Sequence, residues 1–442
     1  MRPLPDHAPT VAVLVWGDAV EDFLEPLGVT VETFATEMTG GWLFGYAEAL
    51  RRVGVRTVVV CVSREVRRPQ RFEHGPTGAT VWALPLPRAY RLLRRPIHDA
   101  YATELKNAFP LDSRIPRVVR QGLRDVAPYV ALPPFALGRV LRRENVDALV
   151  VQEYESARFD VAVAVGRALD LPVFASFQGG TWHVSQFESH ARPHSLRSAR
   201  GLIVASSREA ARVREQYGVP DAKVASVFNP LDLDAWAEVS RLGARHALGV
   251  PAEAEVVAWH GRVDIHRKGL DVLLDAWAQI VAARPERDLR LRLMGTGASA
   301  AQLHARLGAD RPRGVEWRDE YVLDRDALRQ HLASADVYVL PSRHEGFPVA
   351  LVEALASGLP AVAADAPGVD DVLGTPPAGL VVPTGDADAL AEALGRLLDD
   401  PDLRTHMEVA ARDRAAAAFG LERVGRALRA FLLPEAAGEA YP

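Results

Sequence analysis

The chain alternates short apolar runs with longer segments whose apolar residues recur every three or four positions. In the first half the runs are Val11–Trp16, Thr57–Val62, Ala148–Gln152, Pro172–Phe177, Gly201–Ala205 and Lys223–Phe228. In the second half they are Glu255–Trp259, Leu289–Met294, Ala335–Leu340, Ala361–Ala364 and Gly379–Val382. Uninterrupted apolar strands separated by amphipathic helices are the pattern of parallel sheets covered on both faces. Trp42–Arg52 shows the helical period, with Leu43, Phe44, Ala47 and Leu50 on one side. Two such series predict an α/β chain of two doubly wound, Rossmann-like domains, residues 1–235 and 251–420. Segment 421–433 is apolar on one side and predicts a C-terminal helix that can return to the first domain.

A length of 442 residues suits two cores rather than one. Hydrophobic residues make up 48% and charged residues 25%, an ordinary globular balance, and the net charge of −5 argues against general nucleic-acid binding. Cys61 is the single cysteine and lies inside the apolar run TVVVCV, so no intramolecular disulfide is possible and a reducing cytoplasm is expected. MRPLPDHAPT does not resemble a secretion signal, and no apolar run is long enough to span a bilayer, which leaves peripheral membrane contact open.

Residues 84–143 break the alternation. They hold many prolines and arginines at 88, 91, 94, 95, 114, 117, 120 and 124. Such a stretch is usually solvated surface, and its other use is to meet an acidic or lipid-linked acceptor. Loop 18–37 is acidic by contrast, so charge does not choose the acceptor.

Candidate chemistry gathers where strands of the second half end, the edge at which doubly wound sheets bind ligands. After the run 255–259, Arg262 and Lys268 flank a turn, with Gly269 opening the next helix; two cations beside a helix start make an anion site or a solvated basic turn. After 289–294 comes GTGAS, where Gly295, Gly297 and Ala300 mimic a dinucleotide fingerprint with Glu316 about twenty residues on. The same glycines suit close approach of backbone to another ligand. After 335–340, PSRHEGFPVALVEALA puts Glu345 before a helix and Glu353 on its packed face with Val349, Val352 and Ala356. Pro348 fits the first helical position. A carboxylate on a packed face is costly without hydrogen bonds. In the first half, Gly40 and Gly41 precede a helix, as a tight turn or a phosphate approach. His183, His190 and His194 are weighed as a zinc site and set aside, because Pro193 interrupts a helical ligand pair. Asp232 and Asp234 fit a turn or helix cap better than a metal motif.

Taken together these stretches resemble the GT4 family of retaining glycosyltransferases with the GT-B fold. EGFPVALVE (Glu345 to Glu353) is similar to that family's E-x7-E signature, GRV…KGLDVLLDAW to its G-R-x…K-G turn, LMGTG to its glycine turn, and GLVVPTGDADALAEAL to its tail. In the first half, SSREAARVREQYGVPDAKVASVFNPLDLDAW is similar to its S…K…N-P-x-D ending. The resemblance covers most of residues 172–425. It implies two Rossmann-like domains facing a cleft. It also implies a nucleotide-diphosphate sugar donor, with UDP the expected nucleotide, and transfer to an acceptor hydroxyl of a small molecule, glycan or lipid-linked molecule. No metal or other cofactor is expected. Arg262 and Lys268 would hold the diphosphate and Glu345 the transferred sugar, as the catalytic set. Glu353 would bind the ribose, so that its partner is a ligand and not a side chain. Gly295, Gly297, Phe347 and the free amides of Val349 and Ala350 would line the donor, with Gly41 and Gln178 approaching it from the first domain. Gln178 replaces a histidine common in the family, and the turn after the 314–317 strand carries Arg318 and Asp319 in place of glycine. The alternatives are a sugar-nucleotide hydrolase or epimerase, a non-catalytic sugar-nucleotide binder and, more distantly, an NAD enzyme.

Overall fold

The computed structural model describes residues 5, 7–18, 20–25, 28–39, 41–98, 108–110, 113–177, 179, 186–237, 239–309, 312–322 and 324–434. Gln178 and His183 lie outside these. The chain forms two compact units, Met1–Phe228 with Glu422–Pro442, and Asn229–Leu421.

Unit 1 is built on β1 (Thr10–Leu14), β2 (Arg56–Ser63), β3 (Gln70–Glu73), β4 (Thr80–Pro85), β5 (Ala148–Gln152), β6 (Val173–Ser176), β7 (Gly201–Ile203) and β8 (Val224–Ala225). They form one sheet in the order β3-β4-β2-β1-β5-β6-β7-β8. All neighbours are parallel except β3 against β4. Side chains alternate between two cores, as the two-residue period of a strand dictates. Ala12, Leu14, Val58 and Val60 enter one layer, and Val11, Val13, Val59 and Cys61 the other. Burial pushes the Cys61 thiol up to about 12, so it is an inert core residue. The Leu421–Leu432 helix belongs to this second layer through Val424, Leu428 and Leu432. Gly425 is required there, since a Cβ would stand 2.2 Å from Ala49 O. Arg429 Nη1 donates to Val53 O at 2.8 Å.

Three features of unit 1 depart from the sequence pattern. The strands β3 and β4 were not expected: β3 is an exposed edge whose polar residues carry no apolar signal, and it pairs antiparallel with the short β4. The run 223–228 yields only the two-residue β8, because Lys223 ends a 3-10 turn and its Nζ donates to Arg197 O and Ala199 O. Pro193 sits inside the Gln186–Ser198 helix and does not break it.

Unit 2 holds β9 (Glu255–His260), β10 (Leu289–Met294), β11 (Val315–Arg318), β12 (Val337–Leu340), β13 (Ala361–Ala364) and β14 (Gly379–Val382), all parallel, in the order β11-β10-β9-β12-β13-β14. Its core packs Trp259, Trp277, Leu273 and Leu394 with the strand valines. From β9 the chain winds outward through β10 and β11, then returns to β12 on the other side of β9. The order reverses between β9 and β12, and unit 1 reverses likewise between β1 and β5. Ligands of doubly wound sheets bind outside the carboxyl ends of the strands at such a reversal.

Candidate functional site

The reversal in unit 2 brings together the loops after β9 and β12. Gly269 caps the Leu270–Ala283 helix with φ of +65°, and a Cβ there would stand 1.9 Å from Pro341 O. Only glycine allows this approach. Arg343 closes the same seam from the other side, its N–H donating to Arg267 O at 2.9 Å and its guanidinium to Asp271 at 2.7 and 2.8 Å. The two loops are therefore one packed block.

That block presents Lys268 and Glu345 side by side. Lys268 Nζ donates to both Glu345 oxygens, at 2.7 and 2.8 Å. Glu345 is buried and Lys268 is partly exposed. The two cations expected at this turn differ in their surroundings. Arg262 is exposed and makes no side-chain hydrogen bond or ion pair among the described residues, whereas Lys268 is already matched by a carboxylate.

Glu353 lies on the Val349–Ala356 helix and is 5% exposed. The expectation that its partner is a ligand and not a side chain is overturned. His260, the last residue of β9, donates from Nε2 to Glu353 Oε2 at 2.8 Å, and Arg325 Nη2 donates to Oε1. Arg325 opens the Arg325–Ala333 helix, and its guanidinium carbon lies 5.3 Å from the centre of the Trp236 ring. Burial pushes the carboxyl up, but Arg325 and the His260 hydrogen bond outweigh it and hold Glu353 at about 2. Glu353 is therefore a fixed anion. A carboxylate has about four acceptor positions, so two donors leave it room for hydroxyls.

The helix start differs in detail from the sequence expectation. Pro348 is the N-cap, and helix geometry begins at Val349. Val349 N–H is bonded to Phe347 O at 2.9 Å, so of the two amides expected to be free it is not one. Ala350 N–H has no acceptor among the described residues. Phe347 is buried at the base of this turn.

Gly295 and Gly297 pack closely against the loop after β9. A Cβ on Gly295 would meet Gly261 O at 1.9 Å, and one on Gly297 would meet Val263 O at 2.4 Å. Their backbone packs on the β9 loop and fixes the base from which Arg262 projects. Glu316, the acid that would complete a dinucleotide fingerprint, is bound by Arg290 at 3.3 Å and Arg292 at 3.1 Å. Within β11, Trp317 Nε1 donates to Gly295 O at 2.9 Å, and just beyond the strand Asp319 meets His304 at 2.7 Å. Gly41 begins the Gly41–Arg52 helix of unit 1. Among the described residues no three His, Cys, Asp or Glu side chains gather to hold a metal ion.

Sequence reasoning missed His260 and Arg325. Their only signal is a histidine closing an apolar strand and an arginine at a helix start, neither unusual alone. They are 93 and 28 positions from Glu353, so no local period links them.

A model of the family described as "Glycosyltransferase Family 4" matches residues 43–235, and one described as "Glycosyl transferases group 1" matches residues 254–400. The D-inositol 3-phosphate glycosyltransferase of Corynebacterium urealyticum is 33% identical over 249 residues, which are 51% of this chain and 57% of that protein. A GDP-mannose-dependent monoacylated alpha-(1-6)-phosphatidylinositol monomannoside mannosyltransferase of Corynebacterium glutamicum is 34% identical over 198 residues, 43% of this chain and 50% of that protein. The chain spans about half the length of the curated relatives it matches. Among solved structures, sucrose-phosphate synthase from Thermosynechococcus elongatus aligns with a TM-score of 0.68 at 21% identity, over 98% of this chain and 100% of that one. HepE of Anabaena in complex with UDP aligns with a TM-score of 0.65 at 16% identity, over 95% and 97%. These likenesses establish the GT-B fold. The two family models match one on each unit, and the chain resembles the glycosyltransferases of family 4 and of group 1.

Proposed function

We propose that the protein is a retaining glycosyltransferase that moves a sugar from a nucleotide-diphosphate donor, UDP-linked, to an acceptor hydroxyl. The observation that carries this reading is the charge arrangement at the β9/β12 reversal. One open arginine and one lysine–glutamate pair stand in the loops after β9 and β12, and an ionised carboxylate on the Val349–Ala356 helix meets the end of β9 through His260. A nucleotide sugar has parts that match these groups: a dianionic diphosphate and two polyhydroxyl rings.

In this reading Arg262 and Lys268 hold the diphosphate, with the Ala350 amide adding a donor at the positive end of its helix. Glu345 accepts from hydroxyls of the transferred sugar, and Glu353 from the ribose. When the bond from the anomeric carbon to the diphosphate breaks, negative charge grows on the leaving oxygen. Fixed cations stabilise that charge without needing to reorganise. The acceptor hydroxyl attacks from the face the phosphate leaves, and its proton passes to the leaving phosphate oxygen. No double-displacement nucleophile and no metal are called for. Support for UDP comes from the Anabaena neighbour, whose structures hold UDP and UDP-glucose. The relative named as GDP-mannose-dependent supplies the contrasting donor.

A screen of UDP- and GDP-sugars by release of the nucleoside diphosphate, followed by assignment of the product's anomeric configuration, tests the reading. Retention with a UDP-sugar is expected. An inverted product overturns the mechanism, preference for GDP overturns the donor, and release of free sugar whatever the acceptor makes the protein a hydrolase.

A further inference from the structure

Unit 1 carries a face that the donor chemistry leaves unexplained. Residues 84–143 hold eleven arginines and Lys106 against four acids, Asp99, Glu104, Asp112 and Asp125, in a chain whose net charge is −5. Asp125 is itself buried and accepts from Gln121 at 2.8 Å. Arg88, Arg91, Arg117, Arg139 and Arg142 are exposed and make no ion pair among the described residues. Exposed charge of one sign with no internal partner is available to something outside the molecule.

Large apolar side chains stand among these arginines. Leu92 is 71% exposed, Val118 83%, Val119 50% and Phe135 82%. They come from three helices, Arg88–Arg94, Arg117–Val126 and Pro134–Arg143. The first two pack on the same turn, Ala127–Val130, which runs on towards the third. Two adjoining cavities share Tyr129, Pro134 and Val161. One, of about 850 Å³, is rimmed by Arg64, Arg67, Arg88 and Arg91. The other, of about 730 Å³, is mostly apolar, running from Phe135 past Ala164 and Leu169, with Arg139 and Arg142 beside it.

A soluble polyanion would satisfy the arginines and leave Leu92, Val118 and Phe135 in water. An apolar protein groove would cover those three and strand the arginines. A layer of phosphates lying over hydrocarbon satisfies both at once. We propose that this face seats the protein on a bilayer rich in anionic phospholipid. The arginines meet headgroup phosphates, and Leu92, Val118, Val119 and Phe135 enter among the upper acyl carbons. The proposal is independent of the donor site in unit 2.

Co-sedimentation of the full chain with vesicles tests it. Strong partition into an equal mixture of phosphatidylglycerol and phosphatidylcholine is expected, with little into phosphatidylcholine alone. The double variant Arg88→Ser, Arg91→Ser lowers partition by about 25-fold, at roughly fivefold for each arginine near an anionic surface. The variant Val118→Ser, Phe135→Ser still binds at low salt but is released at high salt, where the parent chain holds on through its apolar contacts. All these side chains are exposed, so the melting temperature stays within about a degree, and Arg396→Ser on unit 2 binds like the parent. Absent partition, equal partition into both vesicle types, or parental binding by both double variants overturns the proposal. Equal affinity for soluble polyphosphate assigns the face to a free polyanion and overturns it too.

Discussion

The two strand-order reversals use charge differently. At the β1/β5 reversal in unit 1, Asp18 is buried and accepts from Arg158 and from Tyr90 at 2.7 Å. Close by, Arg192 is 2% exposed and donates to Glu155, Asp160 and Glu188. Arg212 and Tyr217 also bind Glu155, and Tyr154 binds Glu209. These groups saturate one another. At the β9/β12 reversal in unit 2, Glu353 and the Lys268–Glu345 pair are likewise matched, but Arg262 is exposed and has no partner among the described residues. A buried charge that is fully matched holds structure, and removing one partner leaves the others stranded. A charge kept ionised with capacity to spare is suited to a ligand. The difference teaches that fold position alone does not make a site. What distinguishes the second reversal is unspent hydrogen-bonding capacity.

The sharpest way to break this comparison is to remove its most saturated member. Arg192→Met is expected to cost about 3–5 kcal/mol, because three carboxylates lose their cation together. A urea midpoint close to that of the parent chain would mean that the network is not structural. Next come the unit 2 residues. Lys268→Ala and Glu345→Ala are each expected to lower turnover at least a hundredfold, about 2.7–4 kcal/mol in the barrier. Normal rates in both would remove them from the chemistry. A smaller effect isolates the loop seam: Gly269→Ala should destabilise by about 1–3 kcal/mol through overpacking against Pro341, seen as a lowered melting transition. The smallest sharpens the view of unit 2 electrostatics. His331 is buried and its ring bonds Trp259 O at 3.2 Å. Burial, with His260 and Arg292 nearby, brings it from the ordinary 6.5 to about 3. A folded value below the unfolded one means its contribution is complete above the unfolded value and is lost as pH falls towards the folded value. The loss should reach about 1 kcal/mol by about pH 6. His331→Gln should flatten that part of the stability curve, as read by denaturant midpoints across pH.

Much of the architecture was legible because the physics behind it is local. Apolar runs such as Glu255–Trp259 and Leu289–Met294 become β9 and β10 nearly residue for residue. The GTGAS and Lys268–Gly269 turns fall where the strand tips require positive φ. What was hidden depends on pairing across distance. The polar edge strand β3 exists only because β4 is beside it. The His260–Glu353–Arg325 set is assembled by three elements that share no sequence period, and Lys268 is satisfied by an acid 77 residues on. A single side chain's type announces that it needs a partner, and the fold alone decides which partner that is.

The contact between Gly269 and the Pro341 carbonyl has a consequence for engineering. With no space between the β9 and β12 loops at this point, neither can be randomised separately. Most changes there would first dislodge the other loop. Exposed positions beyond β11, such as Glu320 and Tyr321, lie off this seam, and side chains there can be exchanged without prising it apart.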